Sequence, residues 1–327
     1  TPYRSLYYGY AAADIQVWRL RGGGTEVRGG QFKPPYIETA AVQIDCDTHP
    51  IVRDLRSDGS DNAGVRLVRC MNIDVDLRTF QREDTNNTPS NEYALHVGAC
   101  HGGEVHGSFH SQRHGLSFGN ADYACCVPNR DITIYVNTHS PMNQSLDVGG
   151  HGCSDRLTVV GGQHSGLVTG GGNMTFIGCT FERGTTEDAV NPGLCVYAAE
   201  IRGGDHRYIG CTFKSLADAT NGFIQYQLSA GVKEKLRIFF DNCNFLNQGS
   251  NYCAMRVLVN GGTFPVEVYV NGGLVDAGAS MTQFVRMQRL SGADTSKAFV
   301  EGIKGLVLVP PITDAGTGWT LSTYVDV

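Results

Sequence analysis

The sequence predicts an all-β protein, a right-handed single-stranded parallel β-helix (a solenoid) of about 9 to 11 rungs. Three observations predict this fold: a strand motif that repeats at a constant interval, a second family of short apolar strands, and abundant glycine. Glycine makes up 42 of the 327 residues, nearly twice its usual share of ~7%. Because each interior glycine costs a helix roughly 1 kcal/mol relative to alanine, this composition favours a fold with many turns.

The repeating motif is clearest in the second half of the chain. Phe176–Phe181 and Tyr208–Phe213 differ only in their first residue, and Phe239–Phe245 is a looser copy. The cysteines of the three copies are 32 residues apart: Cys179, Cys211 and Cys243. Alternation with period 2 puts the cysteine and the final phenylalanine of each copy on one face of a strand. We therefore expect these residues to form ladders inside the solenoid.

A second family of short strands recurs at a mean interval of about 27 residues. Aligned on a central apolar residue, it comprises Leu95, Leu116, Leu146, Leu167, Leu194, Phe223, Met255 and Phe284. A unit this short cannot bury its own apolar face, so it must stack on its neighbours. A β-propeller needs blades of ~40 residues, and a β-sandwich would not repeat one motif at matched intervals. Glycine-rich corners between stacked strands account for the composition.

The rest of the chain divides around this repeat. We expect an N-terminal lead-in or cap segment over 1–24, the β-helix over 25–289, and a C-terminal cap or trimer contact over 290–327. Because the chain starts without methionine and without a secretory signal, we expect it to be a fragment of a longer or processed protein. The eleven cysteines form no zinc-like pair, which indicates reduced, buried thiols made in a cytoplasm.

Composition and hydropathy also argue against two classes of partner, nucleic acids and membranes. A net charge of −6 and a pI near 5.9 argue against nucleic-acid binding, and no apolar run approaches the ~20 residues of a membrane span. His106, His110 and His114 are four residues apart, but their segment is predicted to be extended, so the spacing loses its meaning as a metal site. We expect neither a metal ion nor a cofactor.

The outward side of the second strand family carries the candidate site. Each residue after the aligned apolar position should point outward, which gives the column His96, Ser117, Asp147, Val168, Cys195, Ile224, Arg256 and Val285. A column of glycines beside it (Gly98, Gly119, Gly149 and Gly170) would floor a groove. Other polar residues near the following corner are His101, Asp122, His151 and Glu200. The interpretation depends on the alignment, and a turn or packing role remains open for each residue.

Paired carboxylates in such a column have a known use. Glycoside hydrolysis uses two carboxylates, ~5 Å apart in retaining enzymes and ~6.5–9.5 Å apart in inverting ones. Asp147 with Asp122 on an adjacent rung would suit the first spacing, and Asp147 with Glu200 two rungs away would suit the second. His151 could assist proton transfer. We expect substrate contacts from side chains around the groove: His96, His101, Arg113, His114 and Tyr197.

Three stretches carry a family resemblance. Arg113–Gly119, Val127–Ile132 and Leu146–Gly152 resemble bacteriophage tailspike proteins, which have a pectate-lyase-like β-helix and commonly degrade the surface polysaccharide of their host. The resemblance covers about residues 90–250 and matches four residues to the family pattern: Arg113, His114, Asp147 and His151. It implies a homotrimer on the virion tail, assembled in the bacterial cytoplasm and acting at the host surface.

The expected function is endo-acting hydrolysis of a bacterial capsule, exopolysaccharide or O-antigen. Alternatives remain open on the same fold: a polysaccharide lyase acting by β-elimination, an epimerase, and a non-catalytic receptor-binding or structural appendage. For a trimer contact, the apolar positions Ile224 and Val285 are expected to lie on the outside of the later rungs.

Overall fold

The computed structural model describes residues 24–305 without the internal positions 30, 33–39, 41, 58–62, 81–92, 112, 120–126, 142–143, 150–153, 185–192, 202, 218–221, 229–233, 250, 252, 260–263, 277, 279–280, 282 and 290–295. The described part consists of short strands joined by bends, with no helix among its residues. None of the described residues therefore forms a helix able to span a membrane.

The strands are, in chain order, β1 (Glu26–Arg28), β2 (Gln31–Phe32), β3 (Val42–Asp45), β4 (Ile51–Ser57), β5 (Ala63–Val68), β6 (Met71–Phe80), β7 (Tyr93–Gly98), β8 (His101–His110), β9 (His114–Gly119), β10 (Asn129–His139), β11 (Leu146–Val148), β12 (Ser154–Asp155), β13 (Leu157–Val160), β14 (Gln163–His164), β15 (Leu167–Gly171), β16 (Met174–Ile177), β17 (Thr180–Arg183), β18 (Val196–Ile201), β19 (Gly204–Ile209), β20 (Thr212–Ser215), β21 (Ile224–Leu228), β22 (Leu236–Asn247), β23 (Cys253–Val259), β24 (Val266–Asp276), β25 (Gln283–Arg289) and β26 (Lys297–Glu301).

These strands stack into two parallel sheets. Within the described residues, one sheet has ten strands in the order β3-β5-β7-β9-β11-β15-β18-β21-β23-β25, and the other has sixteen. The chain crosses from one sheet to the other and back, so each strand pairs with the strand of the next rung. This is a parallel β-solenoid, and the fold class predicted from the sequence is confirmed.

The second sheet bends once in every rung. Long strands such as β22 pass through the bend, whereas β16–β17 and β19–β20 are interrupted there. The residue at the bend has positive φ: 63° at Gly178, 61° at Gly210 and 53° at Asn242. Glycine and asparagine are the residues that adopt this left-handed conformation most readily. Glycine therefore recurs in the first two copies of the repeat because the bend at this position requires a residue with positive φ.

The core contains the ladders that the repeat predicts. Phe176, Tyr208 and Phe240 are in register and stack with ring centroids 4.8 Å apart. A second stack, Phe181–Phe213–Phe245, has spacings of 5.6 and 5.4 Å. The thiols of Cys179, Cys211 and Cys243 are buried beside them and form no disulfide. Burying such aromatic columns stabilises the fold by removing apolar area from water and by ring stacking.

Polar side chains are also buried in the solenoid. Nδ1 of His206 lies 3.2 Å from the Tyr226 hydroxyl, which lies 2.8 Å from the Tyr208 hydroxyl. His164 is buried as well, with its Nδ1 2.9 Å from Oγ1 of Thr138. Burial in an apolar surrounding disfavours the charged imidazolium. It lowers the pKa of both histidines to about 4.

The C-terminal part of the described chain continues the stack. β26 pairs in parallel with β24, with Tyr269 opposite Phe299. The stacked strands therefore extend to Glu301. The sequence had placed the end of the β-helix at residue 289 and a cap or trimer contact over 290–327. Of the expected N-terminal segment 1–24 only Gly24 is described, and residues 306–327 also lie outside the described residues.

Candidate functional site

The register of the ten-stranded sheet confirms five of the eight positions of the alignment made from sequence. Leu95, Leu116, Leu146 and Leu167 face one another on consecutive strands, as expected. After Leu167 the alignment is wrong at three positions. The residues that continue the inward column are Val196, Ile224, Met255 and Val285, in place of Leu194, Phe223, Met255 and Phe284.

The outward column changes accordingly. The structure places Arg66, His96, Ser117, Asp147, Val168, Tyr197, Gln225, Arg256 and Arg286 in register on successive strands. The expectation that Ile224 and Val285 point outward was wrong, because a slip of one residue moves a side chain to the other face. Cys195 was misplaced by two residues: Tyr197 takes the expected position beside Val168, and Cys195 is buried. Ile224 and Val285 are buried in the core, so they cannot form the expected trimer contact.

Asp147 lies at the middle of β11, as the sequence predicts, but it is fully buried. Its Oδ2 accepts a hydrogen bond of 2.9 Å from the Ser117 hydroxyl on the preceding strand. Ser117 is itself fully buried, so its hydroxyl is not accessible to a substrate in this conformation. In this conformation Asp147 has no solvent-accessible surface with which to contact a substrate.

The expected partners of Asp147 are only partly described. Glu200 lies in β18, which is separated from β11 by β15 alone, so the two strands are two rungs apart as predicted. At ~4.8 Å per rung this places the strands about 10 Å apart. β15 and β18 change register just there, between Thr169 and Gly171. Asp122 and His151 lie outside the described residues.

His96 and His101 belong to different sheets, so they do not share one face. His96 is in the outward column of the ten-stranded sheet, whereas His101 begins β8 of the other sheet. Nε2 of His101 lies 2.7 Å from Oδ2 of Asp131. Two nitrogens of Arg156 donate to the same carboxylate at 2.7 Å. The Arg156 guanidinium, followed by His101, holds the pKa of Asp131 below its ordinary value.

This corner cluster was missed by the sequence interpretation. Asp155 accepts hydrogen bonds from Arg156 at 3.2 Å and from the Asn173 amide at 3.0 Å, and Arg130 lies 3.5 Å from it. In the sequence, the cluster could have been recognised from two charge pairs of opposite order, Arg-Asp at 130–131 and Asp-Arg at 155–156. Since opposite charges neutralise each other within the cluster, it holds the corner together.

Arg113 and His114 lie at the start of β9, where they pack on one aromatic ring. The His114 ring is buried and stacks on Tyr93 at a centroid distance of 5.8 Å. Its Nδ1 donates to the carbonyl of Gln144 at 2.6 Å. The Arg113 guanidinium lies 5.6 Å from the centroid of the Tyr93 ring. His114 therefore has a packing role here, and Arg113 is partly exposed beside it.

Tyr197 belongs to the outward column itself. It is partly exposed, and its hydroxyl donates to Oε1 of Gln227 at 3.3 Å. The column is accessible from Val168 onward, whereas Ser117 and Asp147 are covered. The glycine column exists in part, since Gly98 and Gly119 are in register. Gly98, Gly119, Gly149 and Gly170 are all buried, however, so they do not form an open groove.

No group of three or more histidine, cysteine or acidic side chains in the described part of the chain is placed to bind a metal ion. The cysteine ladder is enclosed in the core, where its thiols donate to backbone carbonyls such as that of Phe176. The chemistry available on the outward column is therefore that of carboxylate, imidazole, phenol, amide and guanidinium groups.

Comparison with solved structures supports the fold over most of the chain. The tailspike gp61 of Pseudomonas phage phi297 matches with a TM-score of 0.72 at 20% identity, over 88% of this chain and 49% of that chain. The tailspike protein gp49 of Pseudomonas phage LKA1 matches with a TM-score of 0.71 at 19% identity, over 87% and 49%. The chain thus spans about half the length of these two proteins.

A third structure contains a bound sugar. It is the gp54 tailspike of Acinetobacter baumannii bacteriophage AP22 in complex with an A. baumannii capsular saccharide, with a TM-score of 0.65 at 19% identity, over 81% of this chain and 45% of that chain. At such identities these matches establish a shared fold. No curated protein sequence matches the chain significantly.

The similar structures establish the fold, and a match to a protein family establishes which family the chain belongs to. Residues 58–294, which include most of the stacked strands, match the family described as Gp49, pectin lyase-like. The match covers well over half of the chain, and it agrees with the resemblance seen in Arg113–Gly119 and Leu146–Gly152. The chain therefore belongs to the Gp49, pectin lyase-like family and shares its β-helix with phage tailspikes.

Proposed function

We propose that this chain is the β-helix part of a phage tailspike that binds a polysaccharide of the bacterial surface and cleaves it within the chain. The observation that carries the proposal is the outward column of the ten-stranded sheet, where every strand from His96 to Arg286 except that of Val168 carries a polar or aromatic side chain. A straight row with one side chain per rung is suited to a linear polymer. The tailspike gp54 described above, which shares this fold, binds a capsular saccharide.

For the reaction we propose hydrolysis with Asp147 and Glu200 as the paired carboxylates. The two strands are two rungs apart, about 10 Å at ~4.8 Å per rung, and Glu200 is also three residues along β18 from Tyr197, which is in register with Asp147. Reaching the ~6.5–9.5 Å of inverting enzymes therefore requires the two side chains to move toward each other. One carboxyl group would protonate the leaving oxygen, and the other would activate a water molecule. Because Asp147 is fully buried, contact with a sugar requires displacement of the groups that cover it. Asp122 and His151 remain candidates in supporting roles.

The burial of Asp147 also favours a second candidate function, a spike that binds polysaccharide without cleaving it. In that case the Ser117–Asp147 hydrogen bond is part of the packing of the outer face. Elimination by a lyase would instead need a base such as a histidine or an arginine near a uronate. A homotrimer on the virion tail, acting at the host surface, is our proposal for the assembled protein.

The test is incubation with capsule or lipopolysaccharide from a panel of hosts, followed by mass spectrometry of the products. Hydrolysis adds one water at each break, whereas elimination adds none and leaves a double bond that absorbs ultraviolet light. Asp147→Asn preserves size and should abolish cleavage, while Asp76→Asn, an exposed position on the other sheet, should not. Undiminished cleavage by Asp147→Asn would refute the catalytic assignment. Binding without fragments would favour the second candidate.

A further inference from the structure

Four side chains form an accessible lane at the C-terminal end of the outward column. They are Tyr197, Gln225, Arg256 and Arg286, in register on β18, β21, β23 and β25. Each is partly exposed, unlike Ser117 and Asp147 further along the column. At ~4.8 Å per rung the lane is about 14 Å long. The sequence alignment had put buried residues at three of its four positions, so Gln225 and Arg286 were not recognised.

The lane is positively charged on an acidic chain. The chain as a whole has a net charge of −6, whereas the lane contains two arginines and no acidic residue. The described flanking residues with exposed surface, Gln227 and Leu258, are uncharged, and Cys195, Phe223, Ala254 and Phe284 are buried in the core. Along the strands, Asp147 is the nearest acidic member of the column, four strands from Arg256. At ~4.8 Å per strand that separation is about 19 Å.

The chemistry of the lane matches a charged sugar. Guanidinium groups bind carboxylate, sulfate and phosphate through paired hydrogen bonds. Two arginines on adjacent strands can approach one anionic group together. A partly exposed tyrosine offers apolar area with a polar tip for a sugar ring, and Gln225 offers both a donor and an acceptor.

We propose that the lane is a subsite for an anionic saccharide, in which Arg256 and Arg286 bind the acidic group while Tyr197 and Gln225 contact the neighbouring sugar. The inference rests on the proposed function and specifies its substrate class as an acidic polysaccharide. Arg256 and Arg286 lie two and three strands from β18, which carries Glu200, and four and five strands from Asp147. At ~4.8 Å per strand the acidic sugar would therefore lie about 10 Å or more from both carboxylate candidates. The two arginines thus select the polymer and do not take part in bond cleavage.

The test measures binding of the whole chain to immobilised polygalacturonate and to the same polymer after chemical reduction of its carboxyl groups. We expect the wild-type chain to bind the native polymer at low salt and the reduced polymer at least about tenfold more weakly. Arg256→Gln/Arg286→Gln should lose about tenfold or more in affinity for the native polymer. Dextran sulfate shows whether a sulfate serves as well as a carboxylate, and binding to it would also support an anion subsite.

A matched control removes the same charge elsewhere. Arg28 and Arg78 are exposed on the sixteen-stranded sheet, so Arg28→Gln/Arg78→Gln changes the net charge equally and should bind like the wild type. Equal losses in both double variants would overturn the proposal, since they would indicate non-specific attraction. So would failure of the wild-type chain to bind either polyanion. If that same preparation binds or cleaves a host polysaccharide, the proposed function stands and only the anionic subsite fails.

Discussion

Lowering the pH from 7 to 4 should destabilise the solenoid through two histidines in its core. His164 and His206 are enclosed by the stacked strands, and burial lowers the pKa of each from 6.5 to about 4. The groups near His206 are the neutral hydroxyl of Tyr226, the backbone of Gly172 and the carboxylate of Asp205. The last two favour the charged ring, but they only partly offset the effect of burial on its pKa. Both rings therefore stay neutral in the folded state until the pH approaches 4.

The sign follows from proton uptake. Below pH 6.5 the unfolded chain protonates both histidines while the folded chain does not, so the unfolded state binds more protons and the free energy of unfolding falls. The loss begins near pH 6.5 and levels off below about pH 4, where the folded state also takes up the protons. With one pKa unit worth about 1.4 kcal/mol, each histidine costs about 3 kcal/mol by pH 4. Two such losses are a large part of the ~5–15 kcal/mol that stabilises an ordinary domain.

The assay is urea unfolding followed by circular dichroism at several pH values between 7 and 4. The free energy of unfolding should fall with a slope approaching 1.4 kcal/mol per pH unit for each histidine. His206→Gln, which cannot titrate, should remove one such increment from the slope even if it lowers stability at pH 7. His106→Gln, at a partly exposed position of β8, is the control, since it removes a histidine outside the core. Coincident slopes for wild type and His206→Gln would refute the reasoning.

Two further predictions concern packing and backbone. Phe213→Ala removes a fully buried ring from the middle of an aromatic stack and should cost about 3–5 kcal/mol in urea unfolding, whereas Phe264→Ala, 40% exposed, should stay within about 0.5 kcal/mol of wild type; equal losses would contradict the packing. Gly273→Ala would push a methyl group into the Cys243 carbonyl at a φ of +99° and should cost about 3 kcal/mol or more. Gly178→Ala, with open space at φ +63°, should cost only about 1 kcal/mol, so similar melting temperatures for the two variants would show that the clash is relieved.

The fold was predictable because each rung of a solenoid repeats a local pattern. The stacks through Phe176 and Phe181 follow directly from the 32-residue spacing of the motif. Leu95, Leu116 and Leu146 align because each is followed by a polar residue that must take the outward face: His96, Ser117 and Asp147. In these rungs the alternation of side chains is visible without coordinates.

The candidate site was harder to predict because its face is not consistently polar. At Phe223-Ile224 and Phe284-Val285, two adjacent apolar residues are both buried, so alternation cannot tell which one points inward. The alignment chose the wrong one, and a slip of one residue exchanged Gln225 for Ile224 and Arg286 for Val285 on the outward face. At Leu194 the alignment was wrong by two residues, since Val196 is the residue paired with Leu167. For this reason the alignment did not place Tyr197 beside Val168.

By itself, the sequence determined the parallel stacking, the cysteine and aromatic ladders and the outward position of Asp147. These depend on period and spacing, which are local properties of the chain. Only the tertiary structure decided that Asp147 is covered, that His101 faces Asp131 on the other sheet, and that Arg256 and Arg286 are partly exposed on adjacent strands. The physical reason is that burial and register are set by which residues meet across rungs about 20 to 30 positions apart, and a two-residue period does not encode that meeting.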